Sequence, residues 1–192
     1  GSSQSTIDVG NAVAIDPQNN VLLAGQFGGL ADFDPAGVAP KLQSAGGVDA
    51  FVLKLDSSGQ YVWARRIGGS GADRANALDV DSLGRAYVSG AFSGAADFDP
   101  GSATLSRKAV GKTDAFVVRL DSSGNLSYAA TFGGTGADEG LGLAVDANFE
   151  LISTGLFSGK ADFDPGAATI NLTSAGGSDV YVSTLDASGN YV

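Results

Sequence analysis

The chain contains neither cysteine nor histidine among its 192 residues. The first absence removes a disulfide framework, a thiolate metal site and a thiol nucleophile. The second removes a Ser/His/Asp triad. Glutamate is almost missing too, with Glu139 and Glu150 as the two examples against 29 glycines. Glycine is costly inside a helix and the charged helix formers are scarce, so long helices are excluded. Lysine and arginine number 11 against 21 acids, giving a formal charge of −10 and an isoelectric point near 4.1. Such a surface repels nucleic-acid phosphates and anionic lipid and favours cations and basic partners. No apolar run approaches the ~20 residues of a membrane-spanning helix, so membrane insertion is not expected. No signal-peptide pattern occurs either. The chain opens Gly1-Ser2-Ser3 without methionine, which reads as a trimmed or processed start, where any export signal would already be gone.

What is present is regular. Hydrophobic residues make up 43% of the chain, enough to bury a core. Nearly all the acids are aspartate, which favours turns by bonding to its own nearby backbone. The stretch Ala96-Asp97-Phe98-Asp99-Pro100-Gly101 recurs as Ala31-Asp32-Phe33-Asp34-Pro35 and as Ala161-Asp162-Phe163-Asp164-Pro165-Gly166, each copy 65 residues from the last. Asp49-Ala50-Phe51, Asp114-Ala115-Phe116 and Asp179-Val180-Tyr181 keep the same step. So do Asp56-Ser57-Ser58-Gly59, Asp121-Ser122-Ser123-Gly124 and Asp186-Ala187-Ser188-Gly189. An unbroken period means one structural unit used three times, here a single domain over 1–192 with units at about 8–72, 73–137 and 138–192.

Within the first unit, after a polar lead from Gly1 to Thr6, the pattern predicts four strands. They fall at Asn11–Ile15, Val21–Phe27, Ala50–Leu55 and Tyr61–Ile67, with turns at Asp16–Asn20 and Asp56–Gly59. About twenty residues from Gly28 to Val48, holding the Asp-Phe-Asp-Pro stretch, read as irregular. The second unit repeats the strands at Ala75–Val80, Arg85–Phe92, Ala115–Leu120 and Leu126–Phe132. The third gives Leu141–Val145, Glu150–Phe157 and Val180–Leu185, and its fourth strand stops at Tyr191-Val192. Small residues at Ala12, Ala77 and Gly142 suit first strands that converge.

A four-stranded antiparallel meander at fixed period is the pattern of a β-propeller blade. A parallel β-helix turn is far shorter, and a sandwich has no reason to repeat in register. The expected fold is therefore all-β: three propeller blades, the last incomplete, forming half of a six-bladed ring.

The Gly-Gly turns at Gly68 to Asp73 and Gly133 to Asp138, with the segments Leu42 to Gly59, Val110 to Gly124 and Leu172 to Gly189, resemble the SBBP-type β-propeller repeat of bacterial secreted and cell-surface proteins. The resemblance covers nearly the whole chain. It implies a propeller and an extracytoplasmic setting, and it implies no catalytic residues. Closed rings in such folds have four or more blades, so a three-bladed arc leaves apolar faces that seek partners. A second copy closing the ring is the preferred expectation. Head-to-tail addition into an open filament is the alternative, along with excision from a longer propeller.

Chain reversal at each connection places the acidic loops on one rim, where Asp32, Asp34 and Asp49 join Asp8, Asp73 and Asp138. Oxygen-rich sites without His or Cys suit Ca²⁺, so Asp32, Asp34, Asp97, Asp99, Asp162 and Asp164 are the candidate metal ligands. The plainer reading is that these acids bond to their own loop amides, with Phe as a plug and Pro-Gly as a turn. Gly133-Gly134-Thr135-Gly136 lacks the lysine and helix of a phosphate loop and reads as a turn. Threefold repetition argues against paired carboxylates acting as a glycosidase. Tyr61, Trp63 and Tyr128 could stack sugars, but such aromatics usually pack between blades. Arg65, Arg66, Arg74 and Arg85 read as a solvated edge or as interblade ion pairs. The expected function is a non-catalytic structural or interaction module that assembles through its own blades. The rival is a propeller whose acidic rim binds Ca²⁺ or a carbohydrate or protein ligand.

Overall fold

The structure, a computed structural model, describes residues 8–192; the polar lead lies outside the described residues. The first blade is a meander of β1 (Val9–Ile15), β2 (Val21–Ala31), β3 (Leu42–Leu55) and β4 (Tyr61–Gly69), paired antiparallel in that order. The second comprises β5 (Arg74–Val80), β6 (Ala86–Phe92), β9 (Asp114–Leu120) and β10 (Leu126–Gly134). A small hairpin of β7 (Ala95–Asp97) and β8 (Ser106–Lys108) sits between its second and third strands. The third has β11 (Glu139–Val145), β12 (Leu151–Asp162) and β13 (Asn171–Leu185), with Tyr191 bridging back to Leu185 where a fourth strand begins.

The turns explain the surplus of aspartate. At Asp16, Asp56, Asp81, Asp121, Asp146 and Asp186 one carboxylate oxygen accepts the backbone N–H groups two and four residues on. Each bond replaces water on an amide that the reversing chain would otherwise leave unpaired, so the same short motif serves the first and third turns of the blades.

The segment Gly28 to Val48 is not irregular throughout. β2 continues to Ala31 and β3 starts at Leu42, so the Asp-Phe-Asp-Pro stretch caps an extended hairpin. Beyond a bulge at Gly28 to Leu30 the two strands pair with each other again, Leu30 with Gln43 and Ala31 with Leu42, and in the later repeats the same hairpin also meets the preceding blade. Gly68 and Gly69 at the end of β4 pair with Asp97 and Ala96 of β7, and Gly133 and Gly134 of β10 pair with Asp162 and Ala161 of β12. The second and third hairpins thus continue the sheet of the blade before them, and their backbones find partners that local propensity does not reveal.

The second blade is buried on both faces, against the first and against the third. One core joins Leu22, Val52, Trp63 and Ile67 of the first blade to Val88, Phe92, Phe98 and Phe116 of the second. The next joins Tyr87, Val117 and Phe132 to Leu151, Phe157, Phe163 and Tyr181 of the third. The first strands β1, β5 and β11 lie side by side, held by Asn11 Nδ2 donating to Ala75 O at 2.8 Å and Asn76 Nδ2 donating to Gly140 O at 2.8 Å.

Candidate functional site

The acidic loops fold upon themselves. Asp32 Oδ1 accepts from Asp34 N at 3.1 Å, and Asp34 accepts from Ala36, Val38 and Ala39 N at 2.8 to 2.9 Å. The N–H groups of Ala36 and Ala39 hold the Asp34 carboxyl below its usual range. Asp97 Oδ1 takes the amides of Asp99 and Leu105, and Asp162 Oδ1 those of Asp164 and Ile170. Asp99 and Asp164 each accept from the glycine two residues on. The two acids of each loop are therefore joined through backbone, with one bonded to the other's N–H. Phe98 and Phe163 are buried, the second stacked on Phe132 of the preceding blade with centroids 6.3 Å apart. Phe33, with no blade behind it, is only half-buried.

Beside these loops lie two equivalent clefts. One of about 350 Å³ runs between Ala64, Arg65 and Arg66 of β4 and the Asp97 to Gly101 loop. One of about 240 Å³ lies between Tyr128 and Ala129 of β10 and the Asp164 to Gly166 loop.

The opposite rim carries a grip that sequence reasoning missed. Trp63 Nε1 donates to Ser122 O at 3.2 Å, and Lys54 Nζ, paired with Asp16 at 2.8 Å, reaches the same carbonyl at 3.4 Å. Arg65 donates to Gly124 O and Ser123 O at 2.8 Å each. One repeat later Arg119, over the Tyr128 ring, donates to Ala187 O. In both cases a cation and an aromatic of one blade clasp the Asp-x-x-Gly turn of the next. Their signal was a matched pair 65 residues apart, Lys54 with Arg119 and Trp63 with Tyr128. Three further arginines are in ion pairs: Arg74 with Glu139 across the second seam at 2.8 Å, Arg85 with Asp81, and Arg66 with Asp49 at 3.6 Å.

The two ends of the arc keep one half of each contact. On the third blade Val180 and Val182 are 67% and 69% exposed, whereas their counterparts Ala50, Val52, Ala115 and Val117 are fully buried. On the first blade Val13 and Ile15 are each 65% exposed, while Leu78, Val80, Leu143 and Val145 in the same places are partly buried. The turn at Gly59 is open, while its counterpart Gly124 is buried beneath Trp63.

Residues 62–91, which run from β4 across the first seam into β6, match the SBBP β-propeller repeat. An uncharacterized WD repeat-containing protein of Acanthamoeba polyphaga mimivirus is 28% identical over 155 residues, covering 76% of this chain and 11% of that protein. The chain thus spans about a tenth of the length of the curated relative it matches. With three blades in step and the repeat matched across their first seam, the chain has the architecture of β-propeller blades and is similar to the β-propeller repeat over residues 62–91.

Proposed function

We propose that the chain is a non-catalytic structural and interaction module of a secreted or cell-surface bacterial protein, and that a second copy completes its ring. The observation that carries this reading is the apolar surface left open at the two ends, on β13 of the third blade and along β1 of the first, where Phe27, Phe51 and Leu53 of the same face are buried in a cluster of their own. Val180 and Val182 at one end, and Val13 and Ile15 at the other, stand where internal blades bury the same positions against the next repeat. Apolar surface so placed is driven out of water by the contact that buries it elsewhere in the same molecule. The contact is head to tail, and two arcs close it with two identical seams.

The test uses one substitution at each end. Val182→Lys and Ile15→Lys each abolish self-association when alone, because every copy then lacks a tail or a head. Mixed in equal amounts they recover one seam and sediment as a pair. Association of either variant alone, or no pairing in the mixture, contradicts the reading.

A second reading rests on the clefts that recur beside the acidic loops, lined by Asp97 and Asp99 or by Asp164 with Tyr128 and Tyr191. Carboxylates and aromatic rings around an open cleft are the chemistry of a carbohydrate or Ca²⁺ site. Calorimetric titration with Ca²⁺, and glycan-array binding with and without it, decide this. Heat or binding that disappears in Asp99→Asn supports the ligand reading, and none with the unsubstituted chain removes it.

A further inference from the structure

Each seam between blades encloses a pair of buried carboxylates that neither the loops nor the grip involves. Asp49 on β3 and Asp73 ahead of β5 close on Gly68 of β4. A Cβ built on Gly68 would lie 2.7 Å from Asp73 Oδ2 and 2.9 Å from Asp49 Cγ. One repeat on, Asp114 and Asp138 take the same places, with Asp114 Cγ 2.5 Å from a Cβ built on Gly133. The four acids are between 0% and 4% exposed. Every pair takes one acid from each of two consecutive blades.

The donors around them are fixed and too few. Asp73 accepts from Gly69 N at 2.7 Å and Ser93 N at 3.1 Å, and Asp138 from Gly134 N at 2.8 Å and Ser158 N at 3.0 Å. Asp49 Oδ2 accepts from Ala45 N and Asp114 Oδ2 from Val110 N. The remaining oxygens, Asp49 Oδ1 and Asp114 Oδ1, are buried without a hydrogen-bond partner in the protein. At the first seam Arg66 stands 3.6 Å from Asp49 and also faces Asp73. At the second seam the matching residue is Thr131. The Tyr181 phenol faces Asp138 and also Glu139, which is bound to Arg74.

Two carboxylates buried side by side cannot both ionise without a large desolvation and repulsion cost. We propose that the Asp114/Asp138 pair, where Thr131 stands in the place of Arg66, holds one proton, and holds it more tightly than the first seam does. Burial raises the affinity of all four acids for a proton, and Asp114 is raised further by the charge of Asp138. The ends of the arc hold the two halves of a third pair. Asp179 accepts from Ala175 N at 2.7 Å as Asp49 does from Ala45, and Asp8 accepts from Gly28 N at 3.1 Å as Asp73 does from Ser93. Resting on the ring reading above, closure sets Asp179 of one copy beside Asp8 of the next and takes up a proton.

The test is thermal melting of the whole chain between about pH 5 and about pH 8, diluted until light scattering reports single chains. The internal seam is then read independently of assembly. Asn at position 114 keeps the acceptor for Val110 N and presents an amide where the proton would sit. Asp114→Asn is expected to raise the melting temperature at the alkaline end by roughly 2–4 °C and to flatten its dependence on pH. Thr131→Arg is expected to do the same by charge. The carboxyl ¹³C resonance of Asp114 should titrate well above the usual aspartate range. An Asp114 resonance that titrates normally overturns the proposal. So does an equal loss of stability in Asp114→Asn at every pH. Stabilisation of the unsubstituted chain by millimolar Mg²⁺ or Ca²⁺, lost in Asp114→Asn, overturns it too by assigning the pair to a cation. Failure here leaves the ring reading standing, since that depends on the end faces alone.

Discussion

The indole N–H of Trp63 donates to the carbonyl of Ser122 across the boundary between the first and second blades, and its ring lies against Gly124. Trp63 is 5% exposed, so its removal leaves a cavity as well as an unpaired carbonyl. Trp63→Ala is expected to cost about 3–5 kcal/mol in urea unfolding. Val38→Ala, at an 87% exposed position, should change stability by less than about 0.5 kcal/mol. Equal effects would show that the turn is not held by its neighbour.

Gly134 sits where the fourth strand of one blade meets the hairpin of the next. A Cβ there would fall 1.9 Å from the Lys160 carbonyl oxygen, and backbone cannot yield as a side-chain tip does. Gly134→Ala should therefore part the second seam and cost roughly 1–3 kcal/mol. Hydrogen exchange should show faster exchange at Ala161 and Asp162, with β1 to β4 unaffected. Unchanged protection at Ala161 would contradict the pairing.

Phe98 and Phe33 occupy the same place in successive repeats, but only Phe98 has a blade behind it. Phe98→Ala is expected to lose about 3–5 kcal/mol, and Phe33→Ala clearly less in the dilute chain. If the ring closes, the cost of Phe33→Ala grows with protein concentration while that of Phe98→Ala does not. Parallel behaviour of the two variants in a dilution series of melts would count against a covered first face.

The sequence makes the blades readable because both chemistry and spacing repeat: Asp-x-x-x-Asn or Asp-x-x-Gly marks most of the tight turns, the Asp146 turn departing from both, and alternation marks the strands. Strand ends were less readable. β2 and β3 run through Gly28, Gly29, Gly46 and Gly47, which local preference assigns to loop. What extends them is their pairing with each other beyond a bulge, Leu30 with Gln43 and Ala31 with Leu42, a contact with no local trace. The loop acids Asp32, Asp97 and Asp162 could be named, but their bonding to loop amides depends on a hairpin geometry that exists only once folded. The seam acids were visible as rim residues. Their meeting was not, since Asp49 and Asp73 lie on different blades and converge only through packing.

Stability should pass through a maximum on the acid side of neutrality. Burial pushes Asp73 up to about 6 against a usual 3.8, with Asp49 adding to the shift. The folded state therefore holds this proton more tightly, and the associated stability is complete below about 3.8 and lost as pH rises through about 6. The turn acids act in the opposite sense. Burial would raise Asp16, Asp81 and Asp121, but bonds from Lys54 and Asn20, from Arg85, and from Asn125 outweigh it and hold them low. Their contribution is present above about 3.8 and lost as pH falls through their folded values. Melting across pH should thus peak between about 4 and 6; a monotonic rise toward pH 8 would contradict the assignment.

The most direct check is the absolute mass in solution by light scattering over a concentration series. A closed ring of two arcs gives a plateau at twice the 19.1 kDa of one chain, reached without larger species. A mass fixed at that of one chain at every concentration, or one that climbs without a plateau, contradicts it.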